Sequence, residues 1–145
     1  MKIMAVDFGD VRTGLAYSDS SETLAFPNGM IVERNIEKTA EKIAQKAKEK
    51  EVELIVVGLP KNMDGTEGSQ SEKCRRLVLL LEQHISIPIT TWDERGTTKI
   101  ATLYMNETDT RGKKRRNTID SVAATVILQS YLDYRKNQKQ MKEDE

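Results

Sequence analysis

Between Val52 and Pro60 the chain reads VELIVVGLP, a nearly continuous apolar run bounded by Gly58 and Pro60. A strand that is apolar on both faces, with no polar alternation, must be covered on both sides. That pattern belongs to a central strand of a sheet with helices on each face. Upstream, KIMAVDFG and RTGLAYSDS read as two strands joined by a short turn, and TLAFPNGMIVE as a third. Pro27 has no N–H to give a ladder, so the third strand belongs at an edge or at a bulge. These three predict an antiparallel meander. In NIEKTAEKIAQKAKEKE, Ile36, Ala40, Ile43, Ala44 and Ala47 recur at helical spacing, while lysines and glutamates fill the solvated face.

After the central strand, KNMDGTEGSQ reads as a loop, and Ser69 with Glu72 forms a capping box for a helix running to about His84. ISIPITTWDE is a further strand that ends on two acids. RGTTKIATLYMNE reads as a short helix and TDTRGKKRRN as an exposed basic loop. The last helix carries a stripe of Ile119, Val122, Ala123, Val126, Ile127, Ser130, Tyr131 and Tyr134, and the tail RKNQKQMKEDE is expected to fray. The order predicts an α/β fold built on a mixed five-stranded sheet, three antiparallel strands followed by two helix-linked parallel ones, flanked by helices. With 145 residues and neither repeats nor a linker, one domain over residues 1–136 is expected, followed by a charged tail over 137–145.

Charge narrows the partners. Lysine plus arginine equals aspartate plus glutamate at 23 each, so no global positive field draws the chain onto nucleic acid, and any attraction must come from local patches. Cys74, alone, excludes an internal disulfide and reads as a small apolar helix residue; His84, alone, reads as a surface residue. One Cys and one His exclude a zinc site. No apolar run approaches the roughly 20 residues of a membrane span. The start, MKIMAVDFGD, reads as a strand and not a signal sequence, because Asp7 and Asp10 interrupt it, and a cytoplasmic protein is expected.

Acids gather at strand ends. Asp7 closes the first strand, Asp93 and Glu94 close the last, and Asp120 begins the final helix one residue after Ile119. In open α/β sheets, sites collect at the carboxyl edge, where neighbouring strands end together. Taken alone, Asp7 has a plainer use as the start of a tight turn containing Gly9 and Gly14, and Asp120 as a favourable charge at a helix N-terminus. Three or four converging carboxylates repel unless a cation joins them. Oxygen ligands without histidine or thiolate favour Mg2+ or Mn2+. Two such ions roughly 3.5–4 Å apart activate water and stabilise the leaving oxygen of a phosphodiester. The cations Lys113, Lys114, Arg115 and Arg116, just before Asp120, are placed to grip a phosphate backbone without reading sequence.

DFGDVRTG, VGLPKNMDGT, DERGTT and IDSVAA stand in the order and spacing of the YqgF family, also called RuvX, and the chain resembles that family from about Lys2 to Tyr134. The resemblance implies a ribonuclease H-like fold and nuclease chemistry, directed either at branched DNA or at the 5′ end of precursor 16S ribosomal RNA. It implies an acidic site at Asp7, at the Asp93 and Glu94 pair and at Asp120; Asp7, Glu94 and Asp120 are expected to hold metal, with Asp93 supporting or sharing that task. Arg12, Asn62 and Arg95 fall at motif positions that contact substrate, and Thr97 adds a hydroxyl there or caps the helix that follows. Gly96 stands where the family usually has leucine, which loosens the corner after the acids. Expected partners are precursor rRNA or branched DNA, pre-ribosomal particles among them, with the chain a monomer or homodimer. A competing expectation is a nucleic-acid-binding ribosome-assembly factor with little catalysis. An actin-like or sugar-kinase-like ATPase is disfavoured by length, since those enzymes close two such lobes around a nucleotide.

Overall fold

The computed structural model describes residues 1–60, 66–93 and 112–143, with backbone alone for 112–121 and 142–143. Its strands are β1 (Ile3–Asp7), β2 (Arg12–Ser18), β3 (Ala25–Val32), β4 (Leu54–Leu59) and β5 (Ile89–Asp93). They lie in the order β3-β2-β1-β4-β5. β1 is antiparallel to β2, β2 antiparallel to β3, and β4 parallel to both β1 and β5. The mixed five-stranded sheet is therefore as expected. The helices are α1 (Ile36–Glu49), α2 (Ser69–His84) and α3 (Gly112–Glu143).

Alternation along the strands sorts side chains onto two faces. Met4, Val6, Leu15, Tyr17, Ile55, Val57 and Leu59 pack with α1 and α2, burying Ala40, Ile43, Ala44, Cys74, Leu77 and Leu81. Ile3, Ala5, Ala16, Leu54 and Val56 pack under α3, against Ala124, Ile127, Leu128 and Leu132. The VELIVVGLP run needed both layers, and β4 is buried along its whole length. Cys74 lies in the first layer as a buried thiol. β3 is an edge strand, with Pro27 opposite Ala16 and a register shift between Gly14 and Ala16. Gly29, at φ 69°, takes the left-handed conformation that this bulge requires.

Four local expectations change. The Ser69–Glu72 capping box does not form: Gly68 is the N-cap, no side chain caps it, and the Glu72 N–H bonds the Gly68 carbonyl at 3.4 Å. Ser69 lies one residue too late to cap. The basic run Lys113–Arg116 lies in helical backbone at the start of α3 and not in a loop, in keeping with the high helix propensity of Lys and Arg. The buried face of α3 is turned from the expected stripe, centring on Ala124, Leu128 and Leu132 beside Ala123 and Ile127, and leaving Ser130 and Tyr134 exposed. Tyr131 and Tyr134 instead form an aromatic cluster with Trp92, at centroid distances of 5.6 and 5.3 Å. Finally, α3 continues to Glu143 through the tail that was expected to fray.

The tail is tied down by the β2–β3 loop. Glu22, at φ 58°, accepts a hydrogen bond from Arg135 Nε at 2.7 Å and lies 3.5 Å from Lys139 Nζ. Gln129 bonds the Ala25 N–H and the Thr23 carbonyl, each at 3.1 Å. Burial alone would raise the Glu22 carboxyl, but the hydrogen bonds and charges of Arg135 and the Met1 amino group outweigh it and hold Glu22 below its usual range. A carboxyl lowered in the folded state stabilises at full strength above its unfolded pKa, and that stability disappears as pH falls through the folded value. Glu22→Gln is thus expected to cost about 1–2 kcal/mol at neutral pH. The gap between variant and wild-type thermal melts should close on titration into acid. Melts that differ by the same amount from pH 7 to pH 3 would assign the loss to packing.

Candidate active site at the carboxyl edge of the sheet

β1, β4 and β5 run parallel, so their C-terminal ends meet at one edge, as expected for the acids that close β1 and β5. Asp7, half-buried, ends β1 on the same face as Ile3 and Ala5, the face covered by α3. Its partner across β2 is Gly14, and on the β4 side Gly58 follows Val57, the partner of Val6. On Asp7's face, then, neither neighbouring strand sets a side chain beside the carboxylate. The sequence suggested Gly14 as a turn residue; it is a strand residue without positive φ that stands opposite Asp7 with no side chain. The signal for this was present in the two glycines, but only the strand register shows that they flank Asp7.

Arg12 precedes Gly14 by two residues along β2 and shares its face, so Arg12 and Asp7 lie on the same side of the sheet. The Arg12 Nε is buried and without a hydrogen-bond partner among the described residues. A buried donor that is not bonded costs about 1–3 kcal/mol, a cost that an acceptor brought by a ligand removes. The turn between the two residues is tight. A Cβ on Gly9 would stand 2.2 Å from the Arg12 carbonyl oxygen, and the Gly9 N–H reaches Thr13 Oγ1 at 3.4 Å.

Asp93 reaches the same edge but the opposite face. It pairs with Leu59 and shares a face with Ile89 four residues earlier, both on the α1–α2 side. Two strand spacings, about 10 Å of backbone, also separate its strand from β1. Asp120 lies on α3, four and seven residues ahead of Ala124 and Ile127, the row that packs on the sheet. Lys113, Lys114, Arg115 and Arg116 occupy the opening turns of the same helix, so they and Asp120 form one continuous element. Asn62, Glu94, Arg95, Gly96 and Thr97, and the short helix expected over 95–107, lie outside the described residues. Among the described residues, no three of His, Cys, Asp and Glu come together as a metal site, and no helix is long and apolar enough to cross a membrane.

A family model described as RuvX, Holliday junction resolvase, matches residues 1–134. The chain belongs to the RuvX family. Among its RuvX relatives, a candidate pre-16S rRNA nuclease of Thermoanaerobacter pseudethanolicus is 45% identical over 138 residues, covering 94% of this chain and 99% of the relative. A protein of the same name from Halothermothrix orenii is 42% identical over 134 residues, covering 92% and 96%. Among solved structures, Thermus thermophilus RuvC superimposes with a TM-score of 0.58 at 12% identity, covering 94% of this chain and 97% of that one. The Fowlpox virus resolvase, solved with Holliday junction DNA, gives 0.55 at 10% identity, covering 92% and 98%. These last two likenesses are of fold: RuvX shares the ribonuclease H-like architecture of RuvC-like resolvases.

Proposed function

We propose that this chain is a divalent-metal-dependent nuclease that hydrolyses phosphodiester bonds in structured nucleic acid, with the 5′ end of precursor 16S rRNA as its leading substrate. The observation that carries this reading is the placement of Asp7 and Arg12 on one face of the carboxyl edge, beside two glycines, with the Arg12 Nε buried and unbonded among the described residues. A carboxylate there suits a hard cation and a guanidinium suits a phosphate. The donor chemistry fits Mg2+ or Mn2+: β1 ends in a carboxylate, whereas Cys74 is buried within α2 and His84 closes that helix. Asp7, Glu94 and Asp120 would hold the metal, in one or two sites. Bound there, the ion supplies Lewis acidity toward the phosphate and an acidified water. Asp93, on the other face, takes a supporting role and is not a ligand. Arg12 binds a non-bridging phosphate oxygen, and Asn62, Arg95 and Thr97 are further substrate contacts.

The basic opening of α3 holds the nucleic-acid backbone next to Asp120. Replacing Lys113, Lys114, Arg115 and Arg116 together by Gln is expected to weaken binding and to reduce the slope of log K against log salt by about 0.7–0.9 per lost contact. An unchanged slope would remove this role.

Precursor 16S rRNA is favoured by the names of the relatives at 42–45% identity; on this reading the protein would act in the cytoplasm, on pre-ribosomal particles. The family description favours a second substrate, the four-way DNA junction. Cutting a two-fold junction symmetrically takes two active sites and so a homodimer. A cleavage assay with both substrates in Mg2+ and in Mn2+, with light scattering of the protein alone and with the junction, tests the proposal. Faster cleavage of the RNA by a monomer is the expected result. Binding of either substrate without cleavage in either metal would overturn it in favour of a non-catalytic assembly factor.

A further inference from the structure

We propose that Gln70 is a positioning residue for the active site, fixing the peptide group that follows Phe8 and so the aim of Asp7. The inference rests on the reading of Asp7 as a metal ligand. Gln70 lies in the first turn of α2, and its Nε2 donates to the Phe8 carbonyl at 3.3 Å, across 62 residues of sequence. The next residue, Ser71, is fully buried and donates its hydroxyl to the Pro60 carbonyl just beyond β4. Two consecutive side chains of one helical turn thus hold the C-terminal ends of the two central parallel strands.

The peptide held by Gln70 is bonded at both ends. Its carbonyl belongs to Phe8 and its N–H to Gly9, and that N–H points at Thr13 Oγ1, 3.4 Å away. A peptide group is planar, so bonding both its oxygen and its hydrogen fixes its rotation. This unit stands between Asp7 on one side and the Arg12 carbonyl, against which Gly9 is packed, on the other. Releasing the oxygen removes one of the two hydrogen bonds that set this plane, and any rotation is passed to Asp7 and Arg12 together. Lys73 Nζ also spans the gap, to Asp10 Oδ1 at 3.0 Å, but both side chains are about half or more exposed and such pairs contribute little.

Gln70→Met tests this, since Met keeps the length and helix propensity of Gln while removing the donor and adding no charge. Three readouts are taken: Mn2+ affinity by calorimetry without nucleic acid, exchange of the Gly9 amide by NMR, and kcat and KM separately. Mn2+ binding and kcat are each expected to fall roughly 3- to 30-fold, as small misplacements of catalytic groups do. The Gly9 amide should exchange faster, while KM and the melting temperature stay close to wild type. Asp7→Asn is measured in parallel. If Asp7→Asn loses Mn2+ binding while Gln70→Met matches wild type in affinity and kcat, the positioning role is wrong and the site stands. If Asp7→Asn binds Mn2+ as wild type does, the site reading fails and the role of Gln70 fails with it.

Discussion

Asp7→Asn is expected to lower metal-dependent cleavage on the order of a thousandfold or more, with a melting temperature equal to or above that of the wild type. Asn has nearly the shape of Asp, and the backbone of residue 7 keeps its ladder position opposite Gly14. What changes is charge. On the proposed reading, in which Asp7 shares a cation with Glu94 and Asp120, the carboxylate is held against their repulsion, and neutralising it relieves that repulsion in the protein without its cation. Loss of activity together with gained or unchanged stability separates a ligand from a structural aspartate, whose replacement would lower both. Nucleic-acid affinity in the absence of metal should rise slightly, because one negative charge leaves the phosphate path. Cleavage by purified Asp7→Asn at the wild-type rate would exclude Asp7 from the metal site.

The arrival of two acids at one sheet edge was legible along the chain because strands announce where they end. VELIVVGLP marks a doubly covered strand, and with β1 and β5 on either side of it, Asp7 and Asp93 had to arrive at one edge. Which face each acid takes was not legible. That depends on register, and shifting a strand by one residue turns every side chain over. The pairings Val6 with Val57 and Leu59 with Asp93 decide that Asp7 faces α3 and Asp93 does not. The same dependence hid the use of Gly14 and Gly58, which in sequence look like turn and strand-end glycines. Gln70 left no signal at all, since its bond spans 62 residues and rests on how α2 docks. The errors at α3 have a different cause. Periodicity finds an apolar stripe but cannot say which flank packs on the sheet and which on a neighbouring aromatic, and Trp92 draws Tyr131 and Tyr134 to the flank. The tail reads as solvated charge, and only the fold brings Glu22 to Arg135 and Lys139.

Gly9 and Gly14 are expected to fail in different ways when a methyl group is added. Gly9→Ala brings a Cβ to within 2.2 Å of the Arg12 carbonyl oxygen, a backbone atom that no rotamer change can move. The turn must open, and overpacking of this kind costs about 1–3 kcal/mol. For a chain of this size each kcal/mol lowers the melting temperature by roughly 2–4 °C. Opening the turn also breaks the approach of the Gly9 N–H to Thr13 and separates Asp7 from Arg12, so activity should fall alongside stability. Gly14 sits in extended β2 without positive φ, where an L side chain is conformationally acceptable. Its methyl group would stand opposite Asp7 on the same face, so Gly14→Ala should lose Mn2+ affinity and kcat well beyond its loss of melting temperature. Equal and proportionate losses in the two variants would mean that the space at Gly14 serves packing and not the metal site.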